Sequence, residues 1–201
     1  MDETLHFYHA AQTRSTSVHA LLEELGAPYE LHRLDLKAGE NRQPGYLAVN
    51  PLGKVPAIRH RGEVVTEQVA IFLYLADEYP AAGLAPAIGD PLRGPYLRWM
   101  AFYGASFEPA VVDRAMKREA PPQGMSPYGD FDSVLRAVTD RLEAGPWLLG
   151  QRFSAADILW GGAFGWTMGF GIVPALPVLK DYVACVADRP GCRRARAADA
   201  A

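Results

Sequence analysis

The chain has 201 residues, 49% of them hydrophobic, and a formal net charge of −3 at pH 7. A chain of this length and apolarity can bury one large core or two modest ones. Its basic residues form no long run, which argues against nucleic acid or a membrane as a partner, so binding is expected at a local site.

The N-terminal residues and the cysteines predict a cytoplasmic location. Met1-Asp2-Glu3-Thr4 lacks the basic and apolar regions of a signal peptide. The two cysteines, Cys185 and Cys192, both lie near the end of the chain. Such sparse cysteine usage is typical of a reducing compartment.

Strands and helices alternate in the first part of the chain. Residues 5–8 are predicted as a short strand, and a polar loop over 9–13 leads into a helix. The helix is predicted because four apolar residues recur at i, i+3, i+4 and i+7, namely Val18, Leu21, Leu22 and Leu25. Gly26 follows where a left-handed cap is expected. A second strand over 29–36 can then run parallel to the first across this helix.

A hairpin and a further helix follow a loop-rich segment. Strands over 57–60 and 63–66 flank Arg61-Gly62, a pair that suits a two-residue turn. The apolar pattern around Ile71 continues as a helix. Together these elements predict a thioredoxin-like α/β domain.

The segment Pro80–Pro91 is rich in proline, alanine and glycine, which marks a domain boundary. Beyond it helices are predicted over 91–118, 127–144, 155–171 and 177–188. Ser154 and Asp157 have the spacing of a capping box at the start of the third. The uncharged run between Asp157 and Lys180 is interrupted at Pro174, before the roughly 20 apolar residues that span a bilayer. It is therefore predicted to be a buried central helix.

Three motifs carry a resemblance to a known family. They are Asn50-Pro51-Leu52-Gly53-Lys54-Val55-Pro56, the pattern TExxAIxxYL that begins at Thr66, and Phe153-Ser154-Ala155-Ala156-Asp157-Ile158. In this order and spacing they resemble the glutathione S-transferase superfamily of bacterial, cytosolic type over nearly the whole chain. The resemblance implies a thioredoxin-like glutathione-binding domain over 1–79, a linker over 80–90, and an all-α helical-bundle domain over 91–201.

The Val55-Pro56 pair favours a backbone conformation that could bind a peptide. Proline lowers the cost of a cis peptide to about 0.5–1 kcal/mol. A cis bond here would expose the Val55 backbone, which could pair with an extended tripeptide as an added edge strand.

The resemblance implies that this tripeptide is glutathione and assigns its contacts. Glu67 would meet the γ-glutamyl end, with Gln68 beside it. Val55 would pair with the cysteinyl backbone. Lys54 and Asn41 would hold the glycyl carboxylate.

The loop before the first helix is the predicted site of thiol activation. In the family register Gln12 falls where many members place serine, cysteine or threonine, but glutamine is not a nucleophile. Glutathione brings its own thiol, so the protein need only stabilise the thiolate. A charge-assisted hydrogen bond, worth about 1.5–3 kcal/mol, would lower the thiol pKa by roughly one to two units. The candidates for this role are Gln12, Thr13, Arg14 and Ser15.

Two other interpretations of this region stay open. Arg14 can face solvent while Thr13 or Ser15 serves as an ordinary helix N-cap. Tyr8 offers a further hydroxyl near the end of the first strand, or packs against that strand.

The helical domain is predicted to hold the electrophile and the dimer interface. The aromatic candidates for the electrophile pocket are Trp99, Tyr103, Phe107 and Trp166, for which a core position is the alternative. By analogy with the family, a symmetric homodimer is expected. No metal site is expected, because the histidines show no ligand spacing with cysteine or acid.

The resemblance therefore implies a cytoplasmic glutathione S-transferase with a role in detoxification. It would bind glutathione as co-substrate, stabilise the thiolate and conjugate it to an electrophilic small molecule. One alternative is a glutathione-dependent disulfide reductase, dehalogenase or isomerase, although no loop cysteine is present for a mixed disulfide with the protein. The other alternative is a non-catalytic transferase-like module that binds a protein, which Gln12 leaves open.

Overall fold

The strands found among the described residues form one mixed sheet of four. The computed structural model describes residues 3–119 and 121–200, and its strands are β1 (His6–His9), β2 (Glu30–Arg33), β3 (Ala57–His60) and β4 (Glu63–Val65). Their order across the sheet is β2-β1-β3-β4. β1 and β2 run parallel, whereas β3 is antiparallel to both β1 and β4. The predicted parallel pair and the predicted hairpin are both confirmed.

β2 is shorter than the strand predicted over 29–36. The Leu34 N–H still donates to the His9 carbonyl at 2.8 Å. Beyond it, the Asp35 carboxylate accepts hydrogen bonds from the backbone N–H groups of Lys37 and Ala38. Asp35 thus closes a turn of the kind that aspartate favours over a continued strand.

Three helices accompany the sheet in sequence: α1 (Ser15–Leu25), α2 (Pro44–Leu47) and α3 (Gln68–Glu78). Phe7 of β1, Leu21 of α1 and Phe72 of α3 are fully buried. Gly26 has φ 65°, and its N–H donates to the Leu22 carbonyl. This is the predicted left-handed cap, and glycine adopts it without a steric cost. The thioredoxin-like fold class is confirmed.

The chain divides into two compact units. The first comprises residues up to Ala82 together with those from Arg189 onward, and the second comprises Gly83–Asp188. The helix α9 (Pro190–Ala200) therefore belongs to the first unit. The sequence pattern predicts no helix here, and the family resemblance implies that these residues belong to the helical domain.

Contacts with α1 explain where α9 lies. The Arg189 guanidinium binds the Glu24 carboxylate at 2.7 Å, and the Gly191 N–H donates to the same carboxylate at 2.6 Å. A Cβ on Gly191 would lie 2.6 Å from the Glu24 backbone nitrogen. The close approach of these two helices therefore requires glycine.

The second unit is helical, with α4 (Arg93–Phe102), α5 (Glu108–Ala115), α6 (Phe131–Glu143), α7 (Ala155–Gly169) and α8 (Pro177–Ala187). The predicted helix over 91–118 is interrupted by a π-helical turn at Tyr103–Phe107. Pro109 occupies the first turn of α5 and lacks a backbone N–H. It cannot complete the i→i−4 pairing, which accounts for the break.

α7 is the predicted buried helix, and its start is confirmed in detail. The Ser154 N–H donates to the Asp157 carboxylate at 2.8 Å, completing the predicted capping box. That carboxylate also accepts from the Leu148 N–H and the Tyr182 hydroxyl, both at 2.9 Å. Among the described residues, no helix is long and apolar enough to cross a membrane.

Candidate functional site

The loop Lys54–Pro56 is held by hydrogen bonds to its first carbonyl. The Val55-Pro56 peptide is cis, as predicted. The Lys54 carbonyl accepts from the Tyr46 hydroxyl at 2.5 Å and from the Asn50 amide at 2.8 Å. Within residues 3–119 and 121–200, neither the N–H nor the C=O of Val55 takes part in a hydrogen bond. These two groups remain available to a ligand backbone.

The side chain of Val55 has a defined place in the fold. It packs with a small apolar cluster next to α2, made of Tyr46, Val49 and Ala57 with Tyr8 and Leu34 at its edge. The Tyr8 ring stacks on His32 at a centroid distance of 4.8 Å. This agrees with the packed interpretation of Tyr8.

Asn41 lies beside the same loop. Its amide donates to the Gly53 carbonyl at 2.8 Å. Gly53 has φ 60°, and a Cβ there would lie 2.7 Å from the Asn41 carbonyl oxygen. Lys54, next in sequence, is exposed. The fold therefore brings together the two residues assigned to the glycyl carboxylate.

Glu67 and Gln68 lie at the start of α3. Glu67 is exposed and has φ 64° and ψ 117°, a backbone conformation that side-chain-bearing residues rarely adopt. The Gln68 amide donates to the Arg14 carbonyl at 2.9 Å and to the Ser17 hydroxyl at 2.5 Å. The start of α3 is thus joined to the start of α1. Backbone conformations of this kind are concentrated at functional sites.

The four loop candidates differ in accessibility. Gln12, with φ 57°, and Arg14 are exposed, Thr13 is half-buried, and Ser15 is fully buried. Arg14 stands at the N-cap position of α1 without a side-chain capping bond. The Thr13 hydroxyl accepts from the Ser15 N–H at 3.1 Å. This bond resembles the capping role that was the alternative for Thr13.

Ser15 is the candidate whose predicted role needs correction. Its hydroxyl lies 2.8 Å from His9 Nδ1 and 2.7 Å from the Thr13 hydroxyl, and it accepts from the Ala10 N–H at 3.1 Å. A fully buried hydroxyl with these partners has no direct access to a thiol. Ser15 can act on a ligand only through its neighbours.

A buried acid and two histidines extend this network. Asp199 Oδ1 lies 2.8 Å from His9 Nε2 and 3.3 Å from His19 Nδ1, and Asp199 Oδ2 accepts from the Thr16 hydroxyl at 2.6 Å. Burial lowers the pKa of His9, against the opposing charge of Asp199. Burial alone would raise the pKa of Asp199, but the Thr16 hydroxyl and the two imidazoles outweigh it, so this pKa is lowered. Sequence patterns do not reveal this cluster, because 180 or more positions separate Asp199 from both histidines.

The fold also places a second acid beside two histidines. His6, Glu30 and His32 offer ligand atoms that all lie within 4.8 Å of one another, as do His9, His19 and Asp199. The parallel register puts His6 opposite Glu30 and Tyr8 opposite His32. Sequence spacing could not show this, because the residues meet across two strands. The expectation that no metal binds depends on the spacing of the histidines in the sequence alone, and it stays a prediction.

The aromatic residues proposed for the electrophile are all in the second unit. Trp99, Tyr103 and Phe107 are buried, and each packs against Trp160 with ring centroids 4.9–5.9 Å apart. Trp166 is 38% exposed. The first three are core residues, and only Trp166 offers substantial open surface.

Comparison with known proteins agrees with this arrangement. The family model described as "Glutathione S-transferase, N-terminal domain" matches residues 3–77. A glutathione transferase from Methylococcus capsulatus has 32% identity and a TM-score of 0.83, and the match covers 98% of this chain and 99% of that one. A sphingomonad glutathione S-transferase, solved in complex with glutathione, has 33% identity and a TM-score of 0.80, with 97% and 98% covered.

A curated relative carries a different activity in its name. Disulfide-bond oxidoreductase YfcG of Escherichia coli (strain K12) is 28% identical, over 94% of this chain and 92% of its own length. Its match and those of the two solved transferases extend over both units. The sheet, the motifs and these relatives together show that the chain belongs to the glutathione S-transferase superfamily.

Proposed function

We propose that the protein is a glutathione transferase that binds glutathione on its first unit, stabilises the thiolate and conjugates it to an electrophilic small molecule. The observation that carries the proposal is the pair of backbone groups at Val55, which have no partner among the described residues. A peptide backbone can satisfy both at once, as an added strand does.

The charged ends of glutathione would be read by side chains near this loop. Glu67 would attract the ammonium of the γ-glutamyl end. Gln68 would lie beside it and hold the start of α3 against α1, because its amide hydrogens are donated to the Arg14 carbonyl and the Ser17 hydroxyl. Lys54, two residues before Pro56, and Asn41 would hold the glycyl carboxylate. A charge-assisted hydrogen bond contributes about 1.5–3 kcal/mol, so each end can raise affinity by an order of magnitude or more.

The remaining features of the proposal follow from the family resemblance. Trp166 is the aromatic candidate with open surface for an electrophile. A homodimer, a cytoplasmic location and a role in detoxification complete the proposal. Light scattering of the purified protein tests the dimer.

A second candidate is glutathione-dependent disulfide reduction, favoured by the oxidoreductase relative. Here the glutathione thiolate would attack a disulfide sulfur, releasing a thiolate and forming a mixed disulfide, which a second glutathione would resolve to glutathione disulfide. The protein would need no cysteine of its own in the first unit's loop. Turnover of an aryl halide compared with turnover of a small organic disulfide separates the two activities.

The test begins with calorimetric titration of glutathione into the wild type. Glu67→Gln should weaken binding at least tenfold, and Glu63→Gln, an exposed acid on β4, is its matched control and should bind normally. Cysteinylglycine lacks the γ-glutamyl group, so the Glu67→Gln substitution should barely change its affinity.

The outcomes discriminate between classes of protein. Saturable binding with turnover supports the enzyme. Failure of the wild type to bind glutathione would overturn the proposal and favour the non-catalytic protein-binding module.

A further inference from the structure

We propose that a hydrogen-bonded chain from Thr13 through Ser15 to His9 accepts the proton of the glutathione thiol. This inference rests on the proposed function, because it requires bound glutathione with its sulfur next to the Thr13 hydroxyl. It assigns new roles to His9 and Asp199, as positioning residues that act on the thiol through two hydroxyl groups.

The geometry forms a continuous path. The Thr13 and Ser15 hydroxyl oxygens are 2.7 Å apart, Ser15 Oγ is 2.8 Å from His9 Nδ1, and His9 Nε2 is 2.8 Å from Asp199 Oδ1. Ser15 and His9 are fully buried, whereas Thr13 is half-buried. The path therefore runs from the half-buried Thr13 to the carboxylate of Asp199, whose side chain is 7% exposed. All four residues belong to the first unit.

Asp199, the acceptor at the end of this path, fixes which way the hydrogen bonds along the path point. An ionised carboxylate only accepts hydrogen bonds, so Asp199 requires a hydrogen on His9 Nε2. In a neutral imidazole the other nitrogen, Nδ1, is then an acceptor, and it faces the Ser15 hydroxyl. Ser15 donates to His9, and its oxygen can accept from Thr13. The Ala10 carbonyl also accepts from both hydroxyls, at 2.7 Å from Thr13 Oγ1 and 2.9 Å from Ser15 Oγ, so the proposed transfer requires both hydrogens to turn from that carbonyl toward His9.

The proposed transfer conserves every proton. The thiol proton passes to Thr13 Oγ1, the Thr13 proton passes to Ser15 Oγ, and the Ser15 proton passes to His9 Nδ1. Only O–H, S–H and N–H bonds break and form, and the electron pair of the S–H bond stays on sulfur. In the product state the Thr13 hydroxyl donates to the thiolate, and the imidazolium faces Asp199.

His9 is suited to take this proton. The charged and titratable groups that face it are Asp199 on α9, His19 on α1 and Arg33 on β2. Burial lowers the pKa of His9, so the ring is neutral in the free protein at pH 7. For His9 to retain the proton at pH 7 its pKa must rise in the complex, and the negative charge of the newly formed thiolate acts in that direction.

The other loop candidates cannot serve as the proton acceptor. A glutamine amide is not basic, and an arginine guanidinium holds its protons at all accessible pH values. Gln12 and Arg14 can stabilise a thiolate but cannot take up the proton. Thr13 is the candidate that joins partial accessibility to a route inward.

The test compares thiolate formation with proton release. Ultraviolet absorption gives the thiolate formed per bound glutathione. Calorimetry in two buffers of different ionisation enthalpy gives the protons released on binding. At pH 7 the wild type should form more thiolate than it releases protons, because His9 retains the difference. This difference should disappear at a pH low enough that His9 is protonated before glutathione binds.

Two pairs of variants test the hydrogen-bonded path from Thr13 to Asp199. Thr13→Val should lower the ratio of thiolate to thiol about tenfold, equivalent to one pKa unit, and Thr13→Ser should restore it. Asp199→Asn should abolish proton retention, whereas Asp181→Asn, an exposed carboxylate on α8, should not. Circular dichroism of each variant checks folding, and the paired Thr13 variants keep the test decisive if Asp199→Asn fails to fold.

Each outcome has one meaning. One proton released for every thiolate formed by the wild type would overturn the relay and leave the transferase proposal intact. Glutathione binding without thiolate would overturn the relay and the conjugation step. Absence of binding would overturn both proposals.

Discussion

Asp199 and His9 are joined side chain to side chain at 2.8 Å, although 190 positions separate them in the chain. This bond connects the last helix to the end of β1, directly before the loop that carries Thr13. Together with the Arg189–Glu24 ion pair at 2.7 Å, it fastens both ends of α9 to the first unit. The last helix therefore forms part of the unit that carries the proposed glutathione site.

We expect the contribution of Asp199 to stability to depend on pH. Its pKa in the folded protein is lowered from 3.8, since the Thr16 hydroxyl, His9 and His19 outweigh the effect of burial. A lowered carboxyl pKa stabilises the fold fully above the unfolded value, and this stabilisation is lost as pH falls through the lower folded value. Asp199→Asn should cost about 1–3 kcal/mol at pH 7.

Denaturant unfolding of the wild type and Asp199→Asn from pH 7 to pH 2 measures this contribution. The free-energy difference should shrink below pH 3.8, the ordinary value for aspartate. Asp181→Asn serves as the control for loss of an exposed charge. A difference that persists unchanged to pH 2 would contradict the assigned pKa direction.

Tyr46→Phe should weaken glutathione binding with little effect on folding. The lost hydroxyl donates to the Lys54 carbonyl at 2.5 Å and orders the loop that presents Val55. A net hydrogen bond contributes about 0.5–1.5 kcal/mol, so the dissociation constant should rise about two- to tenfold.

Calorimetric titration of glutathione measures this change. Tyr74→Phe is the matched control, because it removes a hydroxyl bonded to His60 at 2.7 Å, in a contact that does not involve the loop. Equal effects of the two substitutions on affinity would show that the Lys54 carbonyl bond has no special part in binding.

Gly161→Ala should destabilise the second unit. A Cβ at this position would lie 2.7 Å from Val186 Cγ1 and 2.8 Å from its Cβ and Cγ2, so α7 and α8 would have to separate. Overpacking of this kind costs about 1–3 kcal/mol. Gly169→Ala, with no atom within 4 Å of the added carbon, should not show this loss.

The partner substitution tests the cause. Val186→Ala removes the two methyl groups that the new carbon would meet, so Gly161→Ala/Val186→Ala should be more stable than the sum of the single effects predicts. Thermal unfolding of the four proteins of this cycle gives the coupling free energy. Strict additivity would mean that the contact with the two Val186 methyl groups is not responsible.

The two cysteines should differ in reactivity toward iodoacetamide at pH 8. Burial, helped by the charge of Glu24, raises the pKa of Cys192 to about 11, whereas Cys185 is exposed on α8. With that pKa, about one Cys192 thiol in a thousand is ionised at pH 8, and the thiolate is the reactive form.

Peptide mass mapping should therefore find Cys185 labelled and Cys192 unlabelled until the protein is unfolded. Cys185→Ser should reduce labelling of the folded protein to nearly nothing. Labelling of both residues at similar rates would show that Cys192 is more accessible than its burial indicates.

The sequence by itself determined those features that depend on neighbours in the chain. The period of Val18, Leu21 and Leu22 predicted α1, Gly26 predicted its left-handed cap, and the spacing of Ser154 and Asp157 predicted the capping box. These interactions extend over a few residues, so a local pattern is sufficient to specify them.

Only the tertiary structure decided which distant side chains meet. α9 has a polar, arginine-rich sequence with Gly191 and Ala195 as its buried residues. It therefore has no apolar stripe from which a packed helix could be predicted. The packing of the folded unit brings α9 into contact with Glu24 and His9. In the same way, the loop conformation buries Ser15 while leaving neighbouring polar residues exposed. Contacts between distant residues depend on the whole fold. The sequence could therefore predict that the loop before α1 carries the site, but not the hydrogen-bonded path from that loop to Asp199.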